Sequence, residues 1–189
     1  MAGDRWFFER VAPLYDLAMP DADPAILDAA LDRAGRPVER VLDVGGGTGR
    51  AASALGDRER VVLDLSRQML RRVPTGIGRV LADARSLPVR PGAADAVLVV
   101  DALHHLPDVP AVLAEAARVL RPGGVLVVRE FDPTTLRGRA LAAAEHAVGM
   151  DSAFLAPGTL VDRVRTAGLD PAVLDRGVGY TVAGTKPGP

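Results

Sequence analysis

The stretch Arg40-Val41-Leu42-Asp43-Val44-Gly45-Gly46-Gly47-Thr48-Gly49-Arg50 decides the fold. Its first half is a short β-branched run that reads as a buried strand. Three glycines, Thr48 and Gly49 follow, and Ala51-Ala52-Ser53-Ala54-Leu55 then reads as the opening of a helix. A strand that breaks into glycines and re-enters as a helix lets a ligand approach the backbone closely, because no Cβ stands in the way. The helix start offers free N–H groups to an anionic part of that ligand. This indicates a nucleotide-type site without saying which nucleotide. Gly47-Thr48-Gly49-Arg50-Ala51-Ala52 also fits the G-x-G-x-x-G/A pattern of dinucleotide enzymes. A tight turn with no ligand gives the same local sequence.

Outward from that loop, strands and helices alternate. Before it, the spacing predicts a helix over 23–34, ended by Gly35-Arg36-Pro37. After it come strands over 61–64, 78–82, 94–100 and 125–128, with helices over 66–72 and 108–120 between them. Arg121-Pro122-Gly123-Gly124 reads as the stop between the last of these helices and the last strand. Strands apolar on both faces in β-α-β order mean a parallel sheet covered by helices. Ligands then belong at the carboxyl ends of the strands, where strand order reverses. The last third departs from the alternation, with helices over 136–148 and 157–167. Two final extended runs, 172–175 and 179–183, have so short a connection that they must pair antiparallel at the sheet edge. At the other end, Trp6 to Leu17 concentrates aromatics in a chain that has few, with Asp4 as a helix cap and Pro13 as a break. Tyr15, an apolar ring with a polar tip just after that break, is a candidate for the mouth of a pocket.

Composition bounds the function. At 189 residues and 48% hydrophobic, the chain reads as one domain with a substantial core. A net charge of −1 gives no reason to expect a nucleic-acid groove. The absence of cysteine excludes disulfides, thiolate metal sites and cysteine nucleophiles, and no metal ligand is assigned. No apolar run approaches a membrane span and the amino terminus lacks a signal-peptide pattern, so a cytoplasmic protein is expected. Lys186, the only lysine, reads as compositional bias rather than as a site.

Acidic residues fall at the strand ends. Asp43 lies just before the glycines, Asp64 ends the second strand, Asp83 follows the third and Asp101 ends the fourth. An acid at the position of Asp64 accepts hydrogen bonds from ribose hydroxyls. A carboxylate at Asp83 has the reach to accept from an adenine amine. Four such acids are more negative charge than a pyrophosphate would welcome. They suit a ligand with a cationic centre, and S-adenosylmethionine, a sulfonium, is one.

These segments together resemble a known family. Val41 to Gly49, Leu63-Asp64-Leu65-Ser66 with Met69-Leu70, Ala82-Asp83-Ala84 with Leu87-Pro88, Asp95 to Pro107, and Arg118 to Gly124 occur in the order and spacing of class I S-adenosylmethionine-dependent methyltransferases. The branch they resemble includes the ubiquinone and menaquinone C-methyltransferases. The resemblance covers nearly the whole chain. It implies a Rossmann-like, doubly wound seven-stranded sheet, mostly parallel with an antiparallel last strand and helices on both faces. It implies S-adenosyl-L-methionine as cofactor and S-adenosyl-L-homocysteine as product. Gly45, Gly47 and Gly49 would lie against the methionine part, Asp64 and Leu65 at the ribose, and Asp83 with Ala84 at the adenine, with Asp43 and Asp101 as further cofactor-binding candidates. Tyr15 would lie over the cofactor. Residues 1–37 would cover the site, 38–131 hold the cofactor and 132–189 supply acceptor-site helices and an edge hairpin. The partner implied is a small-molecule acceptor, with no nucleic acid and no integral membrane segment.

Leu103-His104-His105 and Glu130-Phe131-Asp132-Pro133-Thr134 depart from the quinone pattern, so a prenylated quinol stays an alternative acceptor. A dinucleotide-dependent oxidoreductase using NAD(P) and a non-catalytic cofactor-binding protein are the readings from other classes. A base is needed only if the acceptor must lose a proton. The candidates are His105, His146 and, less directly, Asp132, histidine having the suitable unperturbed pKa.

Overall fold

Residues alternate strictly between the two faces of the central strands, and that alternation builds both halves of the core. The computed structural model describes residues 23–177 and 179–188. The expected amino-terminal helix, its break at Pro13 and Tyr15 lie outside them. The chain runs α1 (Pro24–Leu31), β1 (Arg40–Val44), α2 (Arg50–Ser53), β2 (Glu59–Asp64), α3 (Arg67–Leu70), β3 (Gly78–Leu81) and β4 (Ala94–Val100). A 3-10 turn (Leu103–His105), α4 (Val109–Val119), β5 (Leu120–Phe131), α5 (Leu136–Ala147), α6 (Pro157–Thr166), β6 (Asp170–Arg176) and β7 (Gly179–Thr185) follow. The strands form one seven-stranded sheet in the order β3-β2-β1-β4-β5-β7-β6. Pairings through β5 are parallel, and β7 runs antiparallel between β5 and β6. The expected doubly wound sheet and its antiparallel last strand are both present.

Val41, Ala96, Leu98, Val125 and Val127 meet Leu27, Ala30 and Leu31 of α1 and Ala51 of α2 on one face. Their neighbours Leu42, Val97, Val99, Leu126 and Val128 meet Leu113 and Ala116 of α4 and Leu160 and Val164 of α6 on the other. Strands covered on both sides in this way have no solvent face, which is why they read as unbroken apolar runs. Among the described residues no helix is long and apolar enough to cross a membrane.

Two expectations needed correction. The helix expected over 23–34 spans Pro24–Leu31, with Asp23 accepting from the Ala25 N–H at its start. Residues 121–124, read as a stop before the last core strand, lie inside β5. Leu120 already pairs with Ala94, the register shifts, and pairing resumes between Ala96 and Val125. The Arg-Pro-Gly-Gly segment is therefore a bulge, with Gly123 at φ +76°. A Cβ at Gly124 would lie 2.8 Å from the Asp95 carbonyl, so this crowded turn needs glycine.

The amino ends of the strands are tied by Asp95. Its carboxylate accepts from the N–H groups of Glu39 and Arg40 and from Arg121 at 2.8 Å, and lies 2.9 Å from Arg36 Nε. Lys186, set aside as composition, donates through Nζ to the carbonyls of Ala117 and Leu120, both at 2.7 Å. It thus satisfies carbonyls at the carboxyl end of α4 that the helix leaves open.

Candidate functional site

Strand order reverses between β1 and β4, so the loops after these two strands diverge and open a crevice. The glycine loop follows β1. Gly45, Gly47 and Gly49 have φ of +69°, +56° and +84°, conformations that exclude a side chain at little cost only in glycine. Gly46 is needed for a different reason: a Cβ there would lie 2.5 Å from the Asp43 carboxylate packed beneath it. Gly45 faces the other loop directly, since its Cβ would lie 3.1 Å from that of Ala102.

Asp43 is 1% exposed and accepts from the Ala52 N–H at 3.1 Å, tying the strand end to the first turn of α2. Burial pushes its carboxyl up to about 7, helped by the charge of Asp64, while the Ala52 N–H and Arg50 oppose the shift. Asp64 bridges the crevice floor, accepting from Gly47 N–H at 2.9 Å and from Ser66 N–H at 2.7 Å. It is not the cap of α3, because the Ser66 hydroxyl accepts from Met69 N–H in that role. Burial raises the Asp64 carboxyl above the ordinary range despite these donated bonds. Beside it Leu65 is 44% exposed, an apolar side chain at the rim.

Asp83 follows β3 and is held by Arg85 through a forked pair whose shortest contact is 2.6 Å. That hydrogen-bonded guanidinium lowers the Asp83 carboxyl. Ala84 next to it packs against the core. Asp101 follows β4 at φ +51°, a left-handed conformation uncommon outside glycine. Its carboxylate lies 3.7 Å from Arg50 of α2. Burial, and then the charge of Glu130, raise its pKa.

The second half of the site is a corner that the linear sequence does not announce. His104 is 4% exposed, and its Nδ1 lies 2.7 Å from Oε2 of the equally buried Glu130 at the end of β5. Its Nε2 lies 3.8 Å from Oε1 of Glu145 on α5. Phe154 stacks on the ring at 4.2 Å between centroids, and His105 leans against it at 3.9 Å. Burial works to lower the His104 pKa, but the charge and hydrogen bond of Glu130, with Glu145 and Asp101 behind it, hold the imidazole above its ordinary value.

The structure therefore brings the glycine loop, Asp43, Asp64 and Asp101 together around one crevice and places Asp83 at the end of the neighbouring strand. Half-buried His105 joins the corner, its Nδ1 3.3 Å from the Ser152 hydroxyl. His146 stands exposed on α5, and its neighbour Glu145 is the residue that reaches the corner. Asp132 accepts from the Thr134 N–H and hydroxyl, and its carbonyl accepts from Thr135, forming the turn that starts α5. Sequence reasoning missed His104, Glu130 and Glu145. The one available signal was Glu130, an acid at the carboxyl end of an apolar strand.

Comparison with known proteins agrees with this architecture. The family described as "Methyltransferase domain" matches residues 42–128. A malonyl-[acyl-carrier protein] O-methyltransferase of Dechloromonas aromatica is 35% identical over 87% of this chain and 64% of its own length. A demethylmenaquinone methyltransferase of Beutenbergia cavernae is 40% identical over 66% of this chain and 56% of its own. The chain thus spans about three fifths of the length of these curated relatives. Among solved structures, an S-adenosylmethionine-dependent methyltransferase of Thermotoga maritima, described as a possible histamine N-methyltransferase, shares the fold. Its TM-score is 0.79 at 24% identity, over 96% of this chain and 99% of that one.

Proposed function

We propose that the chain, whose residues 42–128 match the methyltransferase domain family, moves a methyl group from S-adenosyl-L-methionine to a small-molecule acceptor. The observation that carries the reading is a glycine-walled crevice at the strand-order reversal with the carboxyl groups of Asp64 and Asp101 beside it. A pyrophosphate placed there would meet like charge, whereas a sulfonium and an ammonium meet opposite charge. This is what favours the methyl donor over NAD(P).

In this reading Gly45, Gly47 and Gly49 admit the methionine part, Asp64 turns to the ribose hydroxyls, and Asp83 and Ala84 meet the adenine. Exposed Leu65 gives the adenosine an apolar contact. The exposed Asp83–Arg85 pair is worth little on its own and gives way readily to a ligand. Residues 1–37, with Tyr15, cover the donor, and 132–189 wall the acceptor. A cytoplasmic setting and the absence of a nucleic-acid partner belong to the same proposal, and the near-zero net charge supports the latter.

The methyl carbon of a sulfonium is already electrophilic, so much of the catalysis is alignment for in-line attack. Where the acceptor must first lose a proton, half-buried His105 is better placed to take it than exposed His146. The names of the relatives offer two acceptor classes, a malonyl carboxylate and a quinol carbon. Glu130, Glu145 and Asp101 crowd the acceptor corner, which disfavours a carboxylate and favours a neutral hydroxy-aromatic of the quinol kind.

The test is titration calorimetry with S-adenosyl-L-homocysteine, with NAD as control, followed by methyl transfer to a quinol and to a malonyl thioester. S-adenosyl-L-homocysteine should bind, and Asp64→Ala should weaken it by about ten- to a hundredfold, the loss of a charged hydrogen-bond acceptor. Binding of NAD in its place would sink the reading. A folded protein that binds neither would sink it as well.

A further inference from the structure

We propose that His104, His105 and Glu145 form a site for one divalent first-row transition-metal ion of the zinc type. One donor atom from each, two imidazole nitrogens and a carboxylate oxygen, lie within 4.8 Å of one another. Tetrahedral bonds of about 2.0–2.2 Å place donors roughly 3.3–3.6 Å apart. His104 Nε2 and Glu145 Oε1 are already at 3.8 Å, so closing the site takes a small side-chain adjustment rather than a backbone change.

Three further features fit a metal site better than an ion pair. Glu130 Oε2, 2.7 Å from His104 Nδ1, is placed to accept a hydrogen bond from Nδ1–H, the tautomer that leaves the Nε2 lone pair facing Glu145. A carboxylate behind a histidine in this way is the usual outer support of a metal ligand. Glu145 Oε2 is buried with no hydrogen-bond partner, although a buried carboxylate oxygen is costly to leave unmet. The ion pair with His104 reaches only the other oxygen, at 3.8 Å, whereas an ion can draw on both. Phe154 and Phe131 pack around His104 and help to keep water from it, and the Ser152 hydroxyl steers the His105 ring.

Two nitrogens and one oxygen select a borderline ion such as Zn²⁺ over Mg²⁺ or Ca²⁺, which take oxygen sets. Three protein ligands leave one position open. The site goes beyond the methyltransferase reading, and its test needs no methyl donor, so the two succeed or fail separately. With an ion bound, His105 would be engaged as its ligand, and the ion would lower the pKa of an acceptor hydroxyl bound at the open position, so that its proton is released to solvent.

The experiment titrates Zn²⁺ into chelator-stripped, tag-free protein against a chromophoric chelator, with Co²⁺ absorption as the coordination signature. The expected result is one Zn²⁺ per chain and visible Co²⁺ bands of low coordination number. Glu145→Gln, which keeps the shape of the side chain, and His105→Ala should each weaken binding at least about tenfold, in line with losses seen on disturbing ligand shells. His146→Ala, on the exposed side of the same helix, should leave both readouts unchanged. Failure to bind one equivalent overturns the proposal, as does binding indifferent to Glu145→Gln in a protein with an unchanged melting curve.

Discussion

Asp43 has its carboxylate wedged under Gly46 and its charge opposed by its own burial. A carboxyl raised to about 7 from an ordinary 3.8 keeps its proton in the folded chain where the unfolded chain has lost it. Its contribution to stability is therefore present in full below about pH 4 and is lost as pH rises through about 7. Urea unfolding at pH 5 and pH 8 should show the wild type weaker at pH 8, by on the order of a few kcal/mol. Asp43→Asn should remove that part of the pH dependence; an unchanged profile would mean that Asp43 is ionised throughout. At this scale the glycine-walled crevice was legible because its parts are local: glycines next to a strand, and acids at strand ends. The corner around His104 was not. Its groups come from the turn after β4, the end of β5 and the last turn of α5, and no spacing rule joins elements brought together only by the fold.

The elements themselves were legible wherever burial imposed a period. Strands β1, β2, β4 and β5 announced themselves as apolar runs, and α4 by its capping Asp108, which accepts from the Ala111 N–H, and by its helical spacing. The bulge at 121–124 was not, because Arg-Pro-Gly-Gly carries the same punctuation whether it ends pairing or only displaces it by a few residues. The packing of α6 on β7 was equally hidden. It rests on Gly184, where a Cβ would fall 2.5 Å from Val164 Cγ1 of the helix. Gly184→Ala should lower the stability measured by urea unfolding by about 1–3 kcal/mol, the usual cost of overfilling a packed contact. The additional Val164→Ala should restore part of it, an outcome that a purely backbone effect of the substitution would not give.

Across the whole molecule, the carboxyl ends of the strands carry the crevice and the amino ends carry the clasp around Asp95. That division predicts that the two can be damaged separately. Asp95→Ala strips the acceptor from two backbone N–H groups and from partly exposed arginines, and should cost about 2–4 kcal/mol in urea unfolding. S-adenosyl-L-homocysteine affinity should stay within about twofold, since no group at the crevice loses a partner. Burial works to raise the Asp95 carboxyl, but the Arg40 N–H and Arg121 outweigh it and hold it below its ordinary value. Its stabilisation is accordingly present above about pH 4 and lost as the medium is acidified through the lowered pKa. A large loss of affinity in this variant would show that the two ends of the sheet are coupled.

The amine of Lys186, held between two carbonyls of the α4 terminus, is the only lysine amine in the chain. An acylating reagent has no other lysine to attack, and it meets this one only when the segment after β7 lifts away from the helix. The extent of acylation at that one position over time is therefore a clock for local opening at the carboxyl-terminal edge of the sheet, supplied by the native sequence without any label having to be engineered.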